Sequence, residues 1–168
     1  MSEKDFSHVS PSGESRMVDV GAKAPTRREA VAEAWVDVGD DIARRIREGK
    51  GLAKGSVLET ARIAGIMAAK KTAQLIPMCH PLAIDVVDIQ AEVVGDRVHL
   101  VARVSSEGKT GVEMEAMTAV TVAALTVYDM VKSAGKGVEI SEVRLLEKKG
   151  GKSGHWKRTS SVRSRGAS

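Results

Sequence analysis

Small apolar residues alternate with larger or polar ones through positions 29–38. Every second position in this stretch is apolar: Ala30, Ala32, Ala34, Val36 and Val38. A period of two predicts a strand with one buried face, although alanine and glutamate are weak strand formers. Residues 40–48 follow with a pattern that predicts a short helix, and Gly49 ends it.

A helix start is marked by Ser56, with Glu59 three residues later. This spacing is a capping-box signature, in which the Ser side chain and the Glu side chain satisfy the free amides of the first turn. The Ala-rich stretch that follows predicts a helix to about Gln74. Pro77 and Pro81 then bracket a stiff connection.

Two strand-like segments, Ile84–Val94 and Arg97–Ser105, flank the turn residues Gly95 and Asp96 and predict a hairpin. A final strand is predicted over Val138–Glu147. Strands and helices are mixed and the hairpin is antiparallel, so the fold class is α+β. The simplest architecture is an antiparallel sheet with helices packed on one face.

The longest predicted helix, Val112–Ala134, ends at Gly135 and has no charged residue between Ala116 and Tyr128. A helix that is apolar nearly all round is buried. Its charges lie only at its ends: Glu113, Glu115, Asp129 and Lys132. Acids at the start and a lysine at the finish suit the helix dipole, so a structural role and a catalytic role both stay open at this point.

Helix geometry limits how these charges can cooperate. Glu115 and Asp129 are fourteen residues apart, which is about 21 Å along a helix. A substrate pocket of several hundred Å³ is only about 10 Å across. If both ends serve one substrate, they come from two copies of the helix, as in a site shared between subunits.

Composition and charge narrow the function. Aromatic residues make up 2% of the 168 residues, which argues against a base-stacking nucleic-acid surface. The net charge of +4 comes from five basic residues after position 151, and without them residues 1–151 carry −1. We expect a mobile leader (1–16), one catalytic domain (17–154), a basic, flexible tail (155–168) and no nucleic-acid partner.

Cys79 is the only cysteine, so no disulfide forms within the chain and the cytoplasm is the expected compartment. The N-terminal residues lack the apolar run of a signal peptide. Because no stretch approaches about 18 consecutive apolar residues, a membrane span is not expected.

The segment around Cys79 and His80 is held between two prolines, which suits a histidine fixed in one orientation. A small buried thiol beside a hydrogen-bonded histidine is the structural alternative. As a metal site the pair is weak, because adjacent Cys and His rarely bind one ion. Lys50 and Lys54 precede the capped helix, where lysines suit a phosphate; a flexible surface loop is the alternative.

Two Gly-Lys-Thr or Gly-Lys-Ser triplets invite comparison with a P-loop. The motif needs a glycine five residues before the triplet's glycine. Arg103 and Leu146 stand at those positions. The chain is therefore not a P-loop nucleotidase.

Several segments in order resemble the cyclic pyranopterin monophosphate synthase family, also called molybdenum cofactor biosynthesis protein C. The matching stretches are Met17–Val20, Ala61–Ile66, Leu75–Leu82, Gly108–Ala116, Tyr128–Met130 and Gly150–Gly154. The resemblance implies a ferredoxin-like fold and a homohexamer, a trimer of dimers with active sites at the dimer interface. It also implies a lyase that converts a GTP-derived cyclic dihydro-GTP into a pterin with loss of pyrophosphate. No cofactor is implied, and a Mg²⁺ ion accompanying the triphosphate stays open.

The resemblance also implies roles for individual residues. The catalytic residues would be Asp129, Lys132 and Lys54. The substrate-binding residues would be Met78, Cys79, His80, Glu113, Met114, Glu115, Arg28 and Lys148, and no residue would bind a metal. This chain departs from the family where Ser56 stands in place of an expected aspartate. Ser and Asp are comparable N-caps, so the helix should persist.

Three alternatives remain at the level of sequence. The chain could be another acid–base enzyme acting on GTP or pterins, a nucleic-acid or nucleotide-binding module suggested by the basic tail, or a non-catalytic assembly partner of other cofactor enzymes. Removing residues 155–168 separates the binding module from the others, because its affinity would reside in those residues.

Overall fold

A computed structural model describes residues 13–49 and 56–159. Its strands and helices are β1 (Thr26–Asp37), α1 (Asp40–Glu48), α2 (Val57–Ala69), α3 (Thr72–Leu75), β2 (Val86–Val94), β3 (Arg97–Gly108), α4 (Glu113–Val131), β4 (Glu139–Lys149) and β5 (Trp156–Lys157). The strands form one antiparallel sheet in the order β2-β3-β1-β4-β5. The α+β class is confirmed, and the first four strands have the order of a ferredoxin-like fold.

The central strand β1 carries small side chains on the face that the long helix α4 covers. Its alternating residues Ala30, Ala32, Ala34 and Val36 are 0–1% exposed. These side chains are small, and α4 packs over β1, β3 and β4. The predicted period-two pattern therefore marks the buried face of the sheet.

The helix α4 is the core of the domain. Ten of its nineteen residues are buried, and α2 packs along it. By length and composition alone α4 would be apolar enough to cross a membrane. Most of its apolar residues are covered by α2 and the strands, as expected for the core helix of a globular domain, whereas Leu125 and Tyr128 are exposed.

The helix predicted from Ser56 to about Gln74 is wrong in its extent. Ser56 is the N-cap and accepts a hydrogen bond from the Glu59 amide at 3.4 Å, as predicted. However, α2 ends at Ala69 and a separate short helix, α3, begins at Thr72. The Thr72 hydroxyl donates to the Ala69 carbonyl at 3.0 Å. This side-chain bond satisfies a terminal carbonyl of α2, where the helical hydrogen bonds end.

A fifth strand, which the sequence did not predict, pairs with β4. Its two residues, Trp156 and Lys157, stand opposite Lys148 and Glu147. The Arg158 amide extends the pairing by donating to the Leu146 carbonyl at 2.7 Å. Two residues are too few to produce a periodic pattern, so this strand depends on its partner rather than on its own sequence.

The opposite face of the sheet carries polar residues in place of a helix. Glu33 is buried there, and its carboxylate pairs with His99 at 2.8 Å and Arg144 at 2.7 Å. Burial alone would raise the pKa of Glu33, but the hydrogen bonds to His99 and Arg144 hold it below its ordinary value. Trp35 stacks on His99 with ring centroids 4.0 Å apart. The network satisfies a buried charge that would otherwise be costly.

Candidate active site

A cavity of about 450 Å³ lies at the N-terminal end of α4. Its walls come from three parts of the chain: residues before β1, the proline-flanked connection before β2, and the start of α4. The lining residues are Val18, Val20, Lys23, Met78, Cys79, His80, Leu82, Thr110, Gly111, Glu113, Met114 and Glu115. A volume of this size fits a small-molecule substrate.

Two carboxylates at the start of α4, those of Glu113 and Glu115, line the cavity. Glu115 is 3% exposed although it lines the cavity. Burial raises the pKa of Glu115 above its ordinary value, and the negative charge of Glu113 raises it further. A carboxyl group tuned in this direction is suited to exchange protons near neutral pH.

The proline-flanked segment supplies the facing wall. Met78, Cys79 and His80 are half-buried and line the cavity. Burial raises the pKa of the Cys79 thiol, and the nearby charge of Glu115 adds to the effect. The thiol therefore stays protonated and is poorly suited to act as a nucleophile.

Two basic side chains lie beside the cavity on the helix-covered face of the sheet. The ammonium of Lys148 pairs with the Glu113 carboxylate at 2.9 Å. The Arg28 guanidinium donates to the carbonyls of Gly108 (3.0 Å) and Lys109 (3.3 Å). Arg28 thereby fixes the loop between β3 and α4, which carries two lining residues.

The glycine-rich turn after β4 is what allows Arg28 to lie there. Gly151 has φ of +71°, and a Cβ atom at this position would stand 2.1 Å from a guanidinium nitrogen of Arg28. Any other side chain would both strain the turn and displace Arg28. The Gly-Gly-Lys-Ser-Gly stretch is thus a packing turn.

The remaining predicted residues lie apart from the cavity. Asp129 and Lys132 form an ion pair of 2.7 Å at the far end of α4, with both side chains more than half exposed. The hydrogen bond to Asp129, reinforced by its charge, raises the pKa of Lys132. Lys132 therefore holds the proton of this pair, a point that the sequence left open. Lys54 lies outside the described residues.

Six of the twelve residues that line the cavity are not among the site residues predicted from the sequence. Val18, Val20 and Lys23 come from a stretch assigned to the domain without a role. Met17–Val20 was among the matching blocks, and that was the available signal. Leu82, Thr110 and Gly111 also lay inside matching blocks but carry little recognisable chemistry.

A metal site finds no support in this part of the chain. Across residues 13–49 and 56–159, no group of three or more His, Cys, Asp or Glu side chains converges as metal ligands would. The cavity is lined by two carboxylates, an imidazole, one ammonium, a thiol and a hydroxyl. Such groups transfer protons and bind anions.

Known proteins are similar to this chain over most of its length. Residues 17–151 match the model of the MoaC family. A cyclic pyranopterin monophosphate synthase of Novosphingobium aromaticivorans is 53% identical over 153 residues, covering 91% of this chain and 97% of the relative. The synthase of Heliobacterium modesticaldum is also 53% identical over 153 residues, covering 90% and 96%. Both matches take in the cavity and both ends of α4, and the chain belongs to the MoaC family.

Proposed function

We propose that the chain is a cyclic pyranopterin monophosphate synthase of molybdenum cofactor biosynthesis. It converts 3',8-cyclo-7,8-dihydro-GTP into cyclic pyranopterin monophosphate and releases pyrophosphate. The observation that carries the proposal is the cavity at the start of α4. It unites residues 78–80 with residues 113–115, the two segments expected to contact substrate. The names of the two relatives support the same activity.

Proton transfer is the task of the buried carboxyl group in this proposal. Opening and rebuilding the purine ring moves protons on and off nitrogen and carbon, and groups tuned toward neutral pKa values do this best. Glu115 has its pKa raised by burial. His80 lines the same cavity and is a second proton carrier within reach of a bound ring.

Charge stabilisation is the task of the cations. Displacing pyrophosphate develops negative charge, which fixed ammonium and guanidinium groups stabilise. Lys148 and Arg28 lie beside the cavity, and Lys23 lines it. We assign Lys54 to the same task because the resemblance implies it.

We propose a site shared between two copies of the chain, within a homohexamer built as a trimer of dimers. One unbroken helix separates the cavity from Asp129 and Lys132, a distance of about 21 Å. The pair with Asp129 raises the pKa of the exposed Lys132, and proton donation near neutral pH needs a lower value. Enclosure by a neighbouring subunit would desolvate the ammonium and lower its pKa in that direction. Asp129 and Lys132 of one copy then complete the cavity of another.

The proposal includes three simpler statements. The substrate is a small GTP-derived molecule, and neither nucleic acid nor a membrane is a partner. The enzyme works in the cytoplasm. It needs no resident cofactor, and any Mg²⁺ arrives with the triphosphate.

The direct test is to incubate the purified protein with 3',8-cyclo-7,8-dihydro-GTP. Pyrophosphate and the pterin product should form in equal amounts, and GTP should yield neither because it lacks the second sugar–base bond, between C3' and C8, that makes the substrate cyclic. A parallel reaction with EDTA measures the need for a divalent cation and should proceed. Intact substrate after long incubation with well-folded protein would overturn the proposed function.

A further inference from the structure

The segment Val18–Lys23 forms one wall of the cavity, although it belongs to no helix or strand. Val18 and Val20 are half-buried, and Lys23 is exposed at the cavity. We call this segment the strap. A wall made of irregular backbone keeps its shape only where bonds hold it, so its anchors determine the shape of the cavity.

Local bonds shape the strap into a turn. The Asp19 carboxylate accepts a hydrogen bond from the Gly21 amide at 2.7 Å. The Lys23 amide donates to the Val20 carbonyl at 3.1 Å. Turns of this kind set the local path of the chain, but they do not attach it to the rest of the domain.

The attachment comes from a lysine far away in sequence. The Lys109 ammonium donates to the Gly21 carbonyl at 2.7 Å, across 88 positions of the chain. The backbone of Lys109 is itself fixed, because its carbonyl accepts from the Arg28 guanidinium. Lys109 does not line the cavity. Its ammonium therefore joins the strap to a loop that β1 already holds.

We infer that Lys109 is a positioning residue that anchors the strap and thereby holds the Lys23 ammonium at the cavity for an anionic group of the substrate. The identity of that group as the phosphate chain rests on the proposed function. An ammonium is a compact point charge that suits phosphate oxygens. Releasing the strap should weaken substrate binding and leave the chemical step nearly unchanged.

The test compares Lys109→Met, which removes the donor at similar length, with Lys109→Arg, which keeps a donor. Lys71→Met is the matched control, because Lys71 is exposed at the start of α3 and does not line the cavity. Lys109→Met should raise KM about tenfold, as expected for one lost charged hydrogen bond, with kcat nearly unchanged. Lys109→Arg should restore most of the affinity, and Lys71→Met should behave as wild type.

Hydrogen exchange of peptides covering residues 18–23 gives a second measure that needs no turnover. These amides should exchange faster in Lys109→Met than in wild type. Inorganic pyrophosphate should slow their exchange in wild type and have less effect in the variant. If wild type makes no product, the proposed function fails, and the exchange results alone decide the role of Lys109.

Other outcomes would overturn the inference. A higher KM with unchanged exchange would mean that Lys109 contacts the substrate directly. Faster exchange with an unchanged KM would mean that the strap plays no part in binding. A fall in kcat at constant KM, or no change in either measurement, would equally rule out the positioning role.

Discussion

The two ends of α4 hold charged side chains in opposite surroundings. At the start, Glu115 is 3% exposed and Glu113 pairs with Lys148 beside a cavity. At the finish, the side chains of Asp129 and Lys132 are 52% and 56% exposed. One end lines a cavity enclosed by its own chain, and the other is an exposed ion pair to which we assign a role in a neighbouring subunit's cavity.

The pKa values shift for different reasons at the two ends. At the start, burial disfavours the charged form of Glu115 and raises its pKa. At the finish, the hydrogen bond to Asp129 favours the charged form of Lys132 and raises its pKa. Both shifts favour the protonated side chain. The comparison teaches that desolvation shifts the pKa at one end of α4 and an ion pair shifts it at the other.

The largest expected effect on activity comes from removing the ionisable side chain of Glu115 or of Lys132, one at each end of α4. Glu115→Gln and Lys132→Ala should each lower kcat by about a thousandfold, the range of general acid–base catalysis. Steady-state release of pyrophosphate measures the loss. Circular dichroism and gel filtration should show an unchanged fold and assembly for Lys132→Ala.

Mixing the two inactive variants tests whether the ends meet between subunits. Mixed oligomers of Glu115→Gln and Lys132→Ala should regain part of the activity, because some cavities then combine two intact halves. Each variant mixed with itself is the control. If mixed oligomers are as inactive as the controls, Glu115 and Lys132 of different subunits do not act in one site. All catalytic groups would then lie within one subunit.

The second effect tests the middle of α4, which separates the two ends. A Cβ atom on Gly65 of α2 would stand 2.4 Å from Ile89 Cδ1 and 2.8 Å from the Ala119 carbonyl oxygen. Gly65→Val should therefore lower the free energy of unfolding by about 1–3 kcal/mol through overpacking. Thermal or urea unfolding measures it, and kcat of the folded enzyme should change little.

Gly137→Val is the matched control, because no atom lies within 4 Å of a Cβ at Gly137. Its unfolding should stay close to that of wild type. Equal stability of Gly65→Val and Gly137→Val would mean that α2 and α4 do not pack tightly at Gly65. In that case α4 would not be a rigid spacer between its charged ends.

The third effect is a dependence of stability on pH at the buried end. The ordinary pKa of glutamate is 4.5, and that of Glu115 is raised in the folded state. The stability that the protonated Glu115 gives to the folded state is therefore fully present below about pH 4.5. It is lost as pH rises through the pKa that Glu115 has in the folded state. Glu115→Gln cannot ionise, so it should be more stable than wild type at pH 8, with the difference shrinking toward pH 4.

Glu33 provides the opposite case on the far face of the sheet. Its pKa is lowered from 4.5, so the ionised Glu33 stabilises the folded state above that pH. This stability is lost as pH falls through the pKa that Glu33 has in the folded state. Glu33→Gln should be less stable than wild type at pH 7, with the difference shrinking in acid. Unfolding midpoints from about pH 2 to pH 8 measure both variants, because the change at Glu33 falls below its ordinary pKa of 4.5. The same sign for both would contradict the assigned causes.

Much of the fold could be predicted because its signals are local. The alternation of Ala30 to Val36 reports one buried face, and the Ser56 cap marks the start of α2. The break before Thr72 could not be predicted, because residues 70–72 contain neither the proline nor the glycine that marks a helix end. β5 was missed for a similar reason, since its two residues are ordered by β4.

In the candidate site, too, the features set by local sequence could be predicted and those set by distant contacts could not. The separation of Glu115 from Asp129 could be predicted because a helix has a fixed rise per residue. The strap could not, because the bond from Lys109 to Gly21 joins residues 88 positions apart and leaves no pattern in either segment. The direction of the pKa shift in the Asp129–Lys132 pair could not be predicted either, because it depends on the 2.7 Å contact between the two side chains.

The smallest expected effect is on stability at the exposed end. Asp129→Asn removes the charge that pairs with Lys132, and exposed ion pairs contribute little to stability. The melting temperature should therefore stay within about 1 °C of wild type, while kcat falls steeply if the pair is catalytic. A drop of several degrees with activity retained would make the pair a structural helix end, and the comparison between the two ends would then rest on the cavity alone.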